Sequence, residues 1–282
     1  MSVPPRAQAF PAPAKLNLML RIVGRRSDGY HLLQTVFRLI DFGDTLHVRV
    51  RDDGLIQRAA DVPGVPAEDD LTLRAARLLQ RTAGTRLGAD LTLEKRIPLG
   101  SGLGGGSSDA ATALLALNHL WETGLPRAAL LALAVQLGAD VPVFVFGENA
   151  YAEGVGDELT PLPLAPSWYV VLTPDAMVST ARIFSHPDLK RDQEVTRIQG
   201  FSVGAAVNDL QRVVCREYPE VARCLAWLAQ HGRAMMTGSG AAVFAPFELE
   251  QEACAVLARL PDDMRGFVAR GLERHPLRDL AS

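Results

Sequence analysis

PLGSGLGGGSSDAA, residues Pro98–Ala111, contains five glycines among the seven positions from Gly100 to Gly106. The preceding residues 89–97 (ADLTLEKRI) alternate apolar and polar side chains, which predicts a strand. Residues 107–121 are rich in Ala and Leu and contain no Gly or Pro, which predicts a buried helix. A glycine loop between a strand and a helix directs backbone N–H groups and the positive end of the helix dipole to one point. This stretch therefore predicts an anion site, most often one for phosphate, with a flexible glycine turn as the alternative.

Two familiar phosphate-binding loops do not fit this stretch. The P-loop pattern has a lysine before its Ser or Thr, whereas Gly106 precedes Ser107 here. The dinucleotide fingerprint matches the glycine spacing, but it also needs a second strand that ends in an acidic residue about 20 positions later. Residues 126–138 instead show a second apolar helical pattern, with Pro at its start and Gly at its end. A nicotinamide or flavin dinucleotide site is therefore not expected.

The glycine stretch resembles the ATP-binding motif of the GHMP kinase superfamily of small-molecule kinases. Its triple glycine and the following Asn118-His-Leu-Trp121 narrow the resemblance to one family within that superfamily. The resemblance implies an α+β, two-domain GHMP kinase fold with the active site in the cleft between the domains. It implies an N-terminal ATP-binding domain over residues 1–157 and a C-terminal domain over residues 158–282, with ATP as phosphoryl donor and Mg²⁺ as a helper ion. The residues that it assigns to ATP binding are Pro98, Leu99, Gly100, Ser101, Gly102, Leu103, Gly104, Gly105, Gly106, Ser107 and Ser108.

The first regular strand pattern carries a candidate catalytic lysine. Residues 14–23 alternate, so that Lys15, Asn17 and Met19 share one face of the predicted strand. By pattern alone this is a solvated strand face. The order Ala-Lys-Leu-Asn-Leu over residues 14–18 resembles the first strand of the family, which implies that Lys15 lies at the reacting hydroxyl and that Asn17 contacts the substrate.

A candidate catalytic carboxylate follows the second apolar helix. By pattern alone Asp140 caps a short helical turn, because Pro142 is tolerated in a first turn. The sequence GADVP over residues 138–142 resembles the segment that carries the catalytic aspartate of the family. The resemblance implies that Asp140 is the general base, with Lys15 as its cationic partner. Such pairing keeps a carboxylate ionised.

A third segment bears on the acceptor substrate. Residues 28–35 resemble a segment of the family in which a Tyr-His pair contacts a cytosine. The matching positions are Asp28, Gly29, Tyr30, His31, Leu33 and Thr35. The segment 178–184 resembles one that closes over the same base, which implies roles for Thr180 and Phe184. A surface histidine and an ordinary helix start are the alternatives.

Together the resemblances imply transfer of the ATP γ-phosphoryl group to the 2-hydroxyl of a cytidine diphosphate-linked methylerythritol in the non-mevalonate isoprenoid pathway. Two alternatives remain at this point. One is another GHMP kinase with a different acceptor, and the other is a nucleotide-binding regulator without catalysis.

Charged residues near these motifs raise further questions. Residues 69–79 predict a helix capped by an aspartate, and Asp70 stands where the family has an asparagine near adenine. A carboxylate accepts hydrogen bonds but cannot donate one to the base.

Asp109 either turns away from the phosphate or contacts Mg²⁺. Lys15, Lys95 and Lys190 are the three lysines among 29 basic residues, so each is a candidate for a position that needs a compact charge, with chance retention as the alternative.

Composition narrows the class of protein. A chain of 282 residues with 48% apolar residues can bury one large core or two smaller ones. The net charge of −3 does not favour nucleic-acid binding. The lack of a long apolar run or a leader pattern predicts a cytoplasmic protein that does not bind membranes. Three cysteines without paired spacing predict reduced thiols and no cysteine metal site.

The remaining elements are predicted from periodicity and turn residues. Residues 1–13 contain four prolines and predict an irregular lead-in. Strands are expected at 30–37, 44–51, 168–173 and 266–272, helices at 208–216, 218–231 and 248–260, a strand–glycine turn–strand unit at 235–244, and irregular segments at 52–68, 148–164 and 186–203.

Overall fold

The computed structural model describes residues 7–27, 29–195 and 207–281, and its strands form two sheets. The strands are β1 (Gln8–Arg25), β2 (His31–Arg51), β3 (Ile56–Arg58), β4 (Gly88–Glu94), β5 (Ala150–Glu153), β6 (Glu158–Pro161), β7 (Trp168–Leu172), β8 (Met235–Met236), β9 (Val243–Phe247) and β10 (Gly266–Arg270). The helices are α1 (Leu71–Ala83), α2 (Gly105–Leu120), α3 (Arg127–Leu137), α4 (Val141–Phe146), α5 (Thr180–Phe184), α6 (Gln211–Glu217), α7 (Pro219–Leu228) and α8 (Glu250–Leu257). Asp28 and the segments 1–6 and 196–203 of two predicted irregular regions lie outside the described residues.

The first sheet is built on the long antiparallel pair β1–β2. β4 and β5 extend it on the other side of β2, in the order β3-β4-β2-β5-β6, and β3 runs parallel to β4. Helices α1 to α4 form an apolar core with this sheet. Every residue of α2 from Ser108 to Asn118 is buried, which confirms the predicted all-round apolar helix. Burial of this helix fixes the position of its N-terminus.

The second sheet has the order β10-β7-β9-β8 and is antiparallel. Helices α6, α7 and α8 pack with it in one apolar cluster, which also takes in Leu20 and Ile22 of β1. A separate cluster joins the two sheets, with Leu16 and Ile40 on one side and Val171 and Phe244 on the other. β1 therefore contributes to the cores of both sheets.

The beginning of the chain differs from the prediction. Residues 8–13, predicted to be irregular, belong to β1, and Pro11 and Pro13 pair with Thr45 and Gly43 of β2. Proline is tolerated there because an edge strand does not need every N–H group for pairing. The predicted solvated strand face is wrong, because residues 12–20 are buried on both faces of the strand, including Met19. The pairing register also shifts between Asn17 and Met19.

Other predicted elements also change when the strands pair. The two strands predicted at 30–37 and 44–51 are one continuous strand, β2, because the residues between them pair with β1. The predicted irregular segment 148–164 contains the hairpin β5–β6, and 52–68 contains β3. The predicted domain boundary after residue 157 stays a prediction. β6 lies in the first sheet, and residues 272–281 return to the first core.

The described helices include none that is both long enough and apolar enough to cross a membrane.

Candidate active site

The glycine loop is the first component of the site. Gly104 is the N-cap of α2, and no side chain caps this helix. The first N–H groups of an α-helix have no partner within the helix. Gly100, Gly102 and Gly104 have φ values of 66°, 76° and 77°, as expected for glycines that turn the backbone. The predicted strand before the loop is β4, and α2 begins two residues earlier than predicted.

A second glycine segment, residues 237–241 between β8 and β9, lies against this loop. A Cβ atom at Gly102 would lie 2.6 Å from the Thr237 carbonyl oxygen and 2.8 Å from that of Gly240. The Ala242 N–H donates to the Ser101 carbonyl oxygen at 2.9 Å. Only glycine permits this approach, so the glycine turn of the second sheet packs directly against the glycine loop.

The candidate catalytic pair is formed. Lys15 Nζ lies 3.1 Å from Asp140 Oδ2, and the Lys15 side chain is 2% exposed whereas that of Asp140 is 36% exposed. The Lys15 N–H donates to the Leu103 carbonyl oxygen at 3.0 Å, which joins β1 to the glycine loop. A Cβ at Gly104 would lie 3.1 Å from Lys15 Cε. The two residues are 125 positions apart in sequence, and the fold brings an ammonium group to a half-exposed carboxylate beside the helix N-terminus.

Asn17 holds the lysine in place. Its Oδ1 accepts from Lys15 Nζ at 2.6 Å, and its Nδ2 donates to Thr35 Oγ1 at 2.8 Å. The Asn17 N–H donates to Thr237 Oγ1 at 2.8 Å, and the Thr237 hydroxyl in turn donates to Asn17 Oδ1 at 3.3 Å. Asn17 is 2% exposed. Its side chain is thus engaged inside the protein and positions Lys15 between the two sheets.

An open cavity of about 260 Å³ lies over the helix N-terminus. Asp140 and Thr180 contribute to its wall, together with most of the predicted ATP-binding residues: Pro98, Leu99, Gly100, Ser101, Gly102, Gly104, Gly105, Gly106 and Ser107. Leu103 and Ser108 are fully buried instead. The Ser108 hydroxyl donates to the Pro13 carbonyl oxygen at 2.7 Å, so it anchors α2 to β1.

Lys95 ties the two ends of the glycine loop together. Its Nζ donates to Asp44 Oδ2 and, at 2.8 Å, to Asp109 Oδ2. Asp44 Oδ1 accepts the N–H groups of Arg96 and Ile97 at 2.6 and 2.8 Å. Asp109 is buried and does not line the cavity, whereas Lys95 contributes to its wall. Burial of Asp109 raises its pKa to about 7, because one lysine is shared by two carboxylates and Asp109 Oδ1 has no hydrogen-bond partner.

A second group of predicted residues lies at His31. The rings of His31 and Phe184 are 5.0 Å apart and tilted by 38°. Tyr30, which precedes His31 in sequence, is 67% exposed. Thr180 lies apart from these two rings, on the wall of the cavity over α2, where its hydroxyl is hydrogen-bonded to Ser239 at 2.7 Å. The fold thus separates an aromatic surface, formed by His31 and Phe184, from the cavity over the N-terminus of α2.

Residues 7–27, 29–195 and 207–281 contain no group of three or more His, Cys, Asp or Glu side chains arranged to hold a metal ion.

Comparison with known proteins identifies this arrangement. Residues 70–148 match the family model for the N-terminal domain of GHMP kinases, and residues 197–266 match that for the C-terminal domain. A 4-diphosphocytidyl-2-C-methyl-D-erythritol kinase of Thiobacillus denitrificans is 61% identical over 97% of this chain and 98% of that protein. The chain belongs to the family of 4-diphosphocytidyl-2-C-methyl-D-erythritol kinases. It is an ATP-dependent small-molecule kinase with the GHMP kinase fold.

Two further relatives support this assignment. The kinase of the same name from Nitrosospira multiformis is 60% identical over 96% of this chain and 93% of that protein. A crystal structure of 4-(cytidine 5'-diphospho)-2C-methyl-D-erythritol kinase superimposes with a TM-score of 0.82 at 35% identity, and covers 94% of this chain and 99% of the other.

Asp70 is a departure from the pattern of this kinase family. Its Oδ1 accepts from the Thr72 and Leu73 N–H groups at 2.9 and 3.4 Å, and its Oδ2 lies 3.3 Å from Arg58 Nη1. Asp70 is 3% exposed. The predicted N-cap is confirmed, and both carboxylate oxygens are used inside the protein.

Several residues that shape the kinase site were not predicted. Asn208 donates from Nδ2 to the carbonyl oxygens of Met236 and Gly238 at 2.8 and 2.9 Å, and so holds the second glycine turn. The Thr237 hydroxyl accepts from the Asn17 N–H group, and the Asp44 carboxylate accepts from the Arg96 N–H group just before the glycine loop. Each acts on a residue distant in sequence. The sequence offered one signal for this part of the site, the scarcity of lysine, which made Lys95, the partner of Asp44, a candidate.

Proposed function

We propose that this chain transfers the γ-phosphoryl group of ATP to the 2-hydroxyl of 4-diphosphocytidyl-2-C-methyl-D-erythritol, a step of the non-mevalonate isoprenoid pathway. The observation that carries the proposal is the 3.1 Å pair of Lys15 and Asp140 beside the uncapped N-terminus of α2. The pair suits a hydroxyl acceptor, and the helix end suits a phosphate donor.

In the proposed reaction, the substrate hydroxyl oxygen attacks the γ-phosphorus while the bond from that phosphorus to the bridging oxygen breaks and ADP leaves. Asp140 accepts the hydroxyl proton. Lys15 offsets negative charge on the transferring oxygens. Phosphoryl transfer depends mainly on positioning and charge stabilisation, so a fixed ammonium group is valuable. Asn17 holds this ammonium group by a hydrogen bond, and Thr237 in turn holds Asn17.

The donor phosphates would be bound by the N–H groups at the start of α2, around Gly105, Gly106 and Ser107. Mg²⁺ fits such a site chiefly through the phosphates, because this ion needs only one or two protein carboxylates. Asp140 is the carboxylate on the cavity wall, whereas Asp109 is engaged by Lys95. When bound, Mg²⁺ would neutralise charge on the phosphates. Dependence on ATP supports a cytoplasmic location.

The aromatic surface supports a nucleobase on the acceptor. The rings of His31 and Phe184 lie in contact, and Tyr30, which precedes His31 in sequence, is exposed. Flat bases stack on such rings, and an imidazole adds a hydrogen bond to the base edge. A GHMP kinase for mevalonate or homoserine has no base to place there.

The test is an assay of ADP release with 4-diphosphocytidyl-2-C-methyl-D-erythritol, mevalonate and homoserine as acceptors. We expect turnover with the first alone. Turnover with mevalonate or homoserine but not with the cytidyl compound would refute the proposed substrate. Saturable nucleotide binding without ADP release from any acceptor would instead indicate a regulator.

The proposed base is tested separately by Asp140→Asn. Loss of a positioned general base typically costs about 10²- to 10⁴-fold, so kcat should fall by that factor while KM stays within a few-fold. Asp262→Asn, at an exposed position before β10, is the matched control and should leave kcat unchanged. An Asp140→Asn enzyme with the control's kcat would rule out this role.

A further inference from the structure

His31 has a partner that defines which of its ring nitrogens carries a proton. Arg191 Nε donates to His31 Nε2 at 3.1 Å. A guanidinium group has N–H donors and no acceptor, so the nitrogen that faces it must present a lone pair. In a neutral imidazole the proton is then on Nδ1.

Arg191 is itself held by its surroundings. Its Nη1 donates to the Leu189 carbonyl oxygen at 2.9 Å. Its Nη2 donates to the carbonyl oxygens of Phe184 and His186 at 2.9 and 2.8 Å. Three backbone acceptors thus fix the plane of the guanidinium group. Arg191 therefore bonds to the ring of His31 and to the backbone of Phe184.

The charges around His31 favour the neutral ring. Burial lowers the pKa of His31, and the positive charges of Arg191 and Arg25 lower it further. His31 is therefore neutral at pH 7. With Nε2 occupied as an acceptor, its remaining polar group is the Nδ1–H donor.

We propose that Arg191 is a positioning residue that holds His31 as a neutral Nδ1–H donor and thereby selects cytosine over uracil on the acceptor substrate. This inference rests on the proposed function. Cytosine has lone pairs on both O2 and N3, whereas N3 of uracil carries a hydrogen. A fixed donor at the base edge matches the two adjacent acceptors of cytosine and meets a second donor on uracil. A ring free to change its tautomer would match either base.

The first experiment needs no substrate. ¹⁵N NMR of the imidazole nitrogens, with His31 assigned by His31→Gln, reports the tautomer and the pKa in the ligand-free protein. We expect Nδ1–H in the wild type, and in Arg191→Met a mixed tautomer with a higher His31 pKa. Lys190→Met is the matched control, because it removes the same charge at the neighbouring exposed position. It should leave both readouts unchanged.

The second experiment compares the binding of CDP and UDP by calorimetry. Loss of one well-aligned hydrogen bond corresponds to about tenfold in affinity, so Arg191→Met should weaken CDP binding by about that factor and bring the CDP and UDP affinities together. KM for the cytidyl substrate should rise while kcat changes little. Arg191→Lys keeps a cation and N–H donors, and should restore part of the preference if the Met variant folds poorly.

Two results would overturn the inference. One is an Nε2–H tautomer of His31 in the wild type. The other is an Arg191→Met protein with the tautomer, pKa and CDP preference of the wild type. Failure of the wild type to bind CDP would count against the proposed substrate instead, because the tautomer is measured without any ligand.

Discussion

The lysine of the site depends on a glycine that leaves room for it. Lys15 is almost fully buried, and Gly104 lies against its side chain at the start of α2. A Cβ at Gly104 would lie 3.1 Å from both Cγ and Cε of Lys15 and 3.0 Å from Cζ of Phe144. Both side chains are buried, so an added methyl group would force one or both of them to shift.

Gly104→Ala should therefore reduce both stability and catalysis. A positive φ costs a non-glycine residue about 1–2 kcal/mol, so the free energy of unfolding should fall by roughly that amount. Displacement of Lys15 should lower kcat by about tenfold or more, since small misplacements of catalytic groups are costly. The measurements are urea unfolding and initial rates.

Gly84→Ala provides the control for Gly104→Ala. Gly84 has a φ of 66° at the end of α1, and nothing lies within 4 Å of the position of its Cβ. It should lose similar stability with an unchanged kcat. Equal kcat values in the two variants would show that the Lys15 contact does not matter for the reaction.

Residues that bear local motifs were predictable, and residues that support them were not. Lys15, Asp140 and the glycines occur in short, recognisable patterns, and the structure brings them together. Thr237 contacts Asn17, 220 positions away in sequence, and no local sequence pattern predicts such a contact. Leu103 and Ser108 lie within the motif, but both side chains are buried, Leu103 from its position in the loop and Ser108 from its position in α2. A motif predicts the site, and the direction of each side chain depends on the fold.

At the scale of elements, a charged cluster joins β2, the end of β4 and α2. Asp44 accepts two backbone N–H groups and Lys95, whereas Asp109 has Lys95 alone as a polar partner for one of its oxygens. The carboxylate with fewer partners is the one whose charge is less stabilised by its surroundings. Burial is the main cause that raises the pKa of Asp109 to about 7, and the negative charge of Asp44 adds to the rise while Lys95 opposes it.

The raised pKa predicts a pH dependence of stability. Unfolded Asp109 loses its proton near pH 4, whereas the folded protein keeps it up to about pH 7. Between these values the native state binds more protons, so its free energy of unfolding falls as the pH rises. Asp109→Asn should remove this fall, and the stability of the wild type relative to the variant should decrease from pH 4 to 7 and then level off.

The measurement for Asp109 is urea unfolding at pH 4.5, 5.5, 6.5 and 7.5. Asp69→Asn, at an exposed position before α1, is the control and should follow the wild type. A constant difference between the wild type and Asp109→Asn across this range would contradict a raised pKa.

Elements with strong local signals were predicted well. The apolar runs of α2 and α3 and the buried strand β7 are confirmed within two residues at each end. The start of β1 was missed because prolines normally interrupt strands, yet Pro11 pairs at an edge. The join of two predicted strands into β2 follows from pairing with β1, which is not visible in either segment alone.

At the scale of the whole molecule, the chain returns to where it began. β10 belongs to the second sheet, but the residues after it, including Leu272 and Leu277, pack into the core of the first. The Leu272 N–H donates to the Leu39 carbonyl oxygen at 2.8 Å. β1 likewise contributes to both cores. The two sheets are thus linked at both ends of the described chain, and we expect them to unfold in one transition.

Arg127 provides a test of this linkage. At the start of α3, its guanidinium group donates to the carbonyl oxygens of Val145, Arg278 and Ala281, and so connects the end of the chain to α4. Arg127→Met would leave these carbonyls without their donor, at an expected cost of about 2–4 kcal/mol, with kcat unchanged because Lys15 and Asp140 are not involved. Arg77→Met, at an exposed position on α1, should cost less than about 0.5 kcal/mol. Urea unfolding followed by tryptophan fluorescence and by circular dichroism should give coincident transitions that shift together in Arg127→Met. Separate transitions, with only one of them shifted, would show that the return of the chain does not couple the sheets.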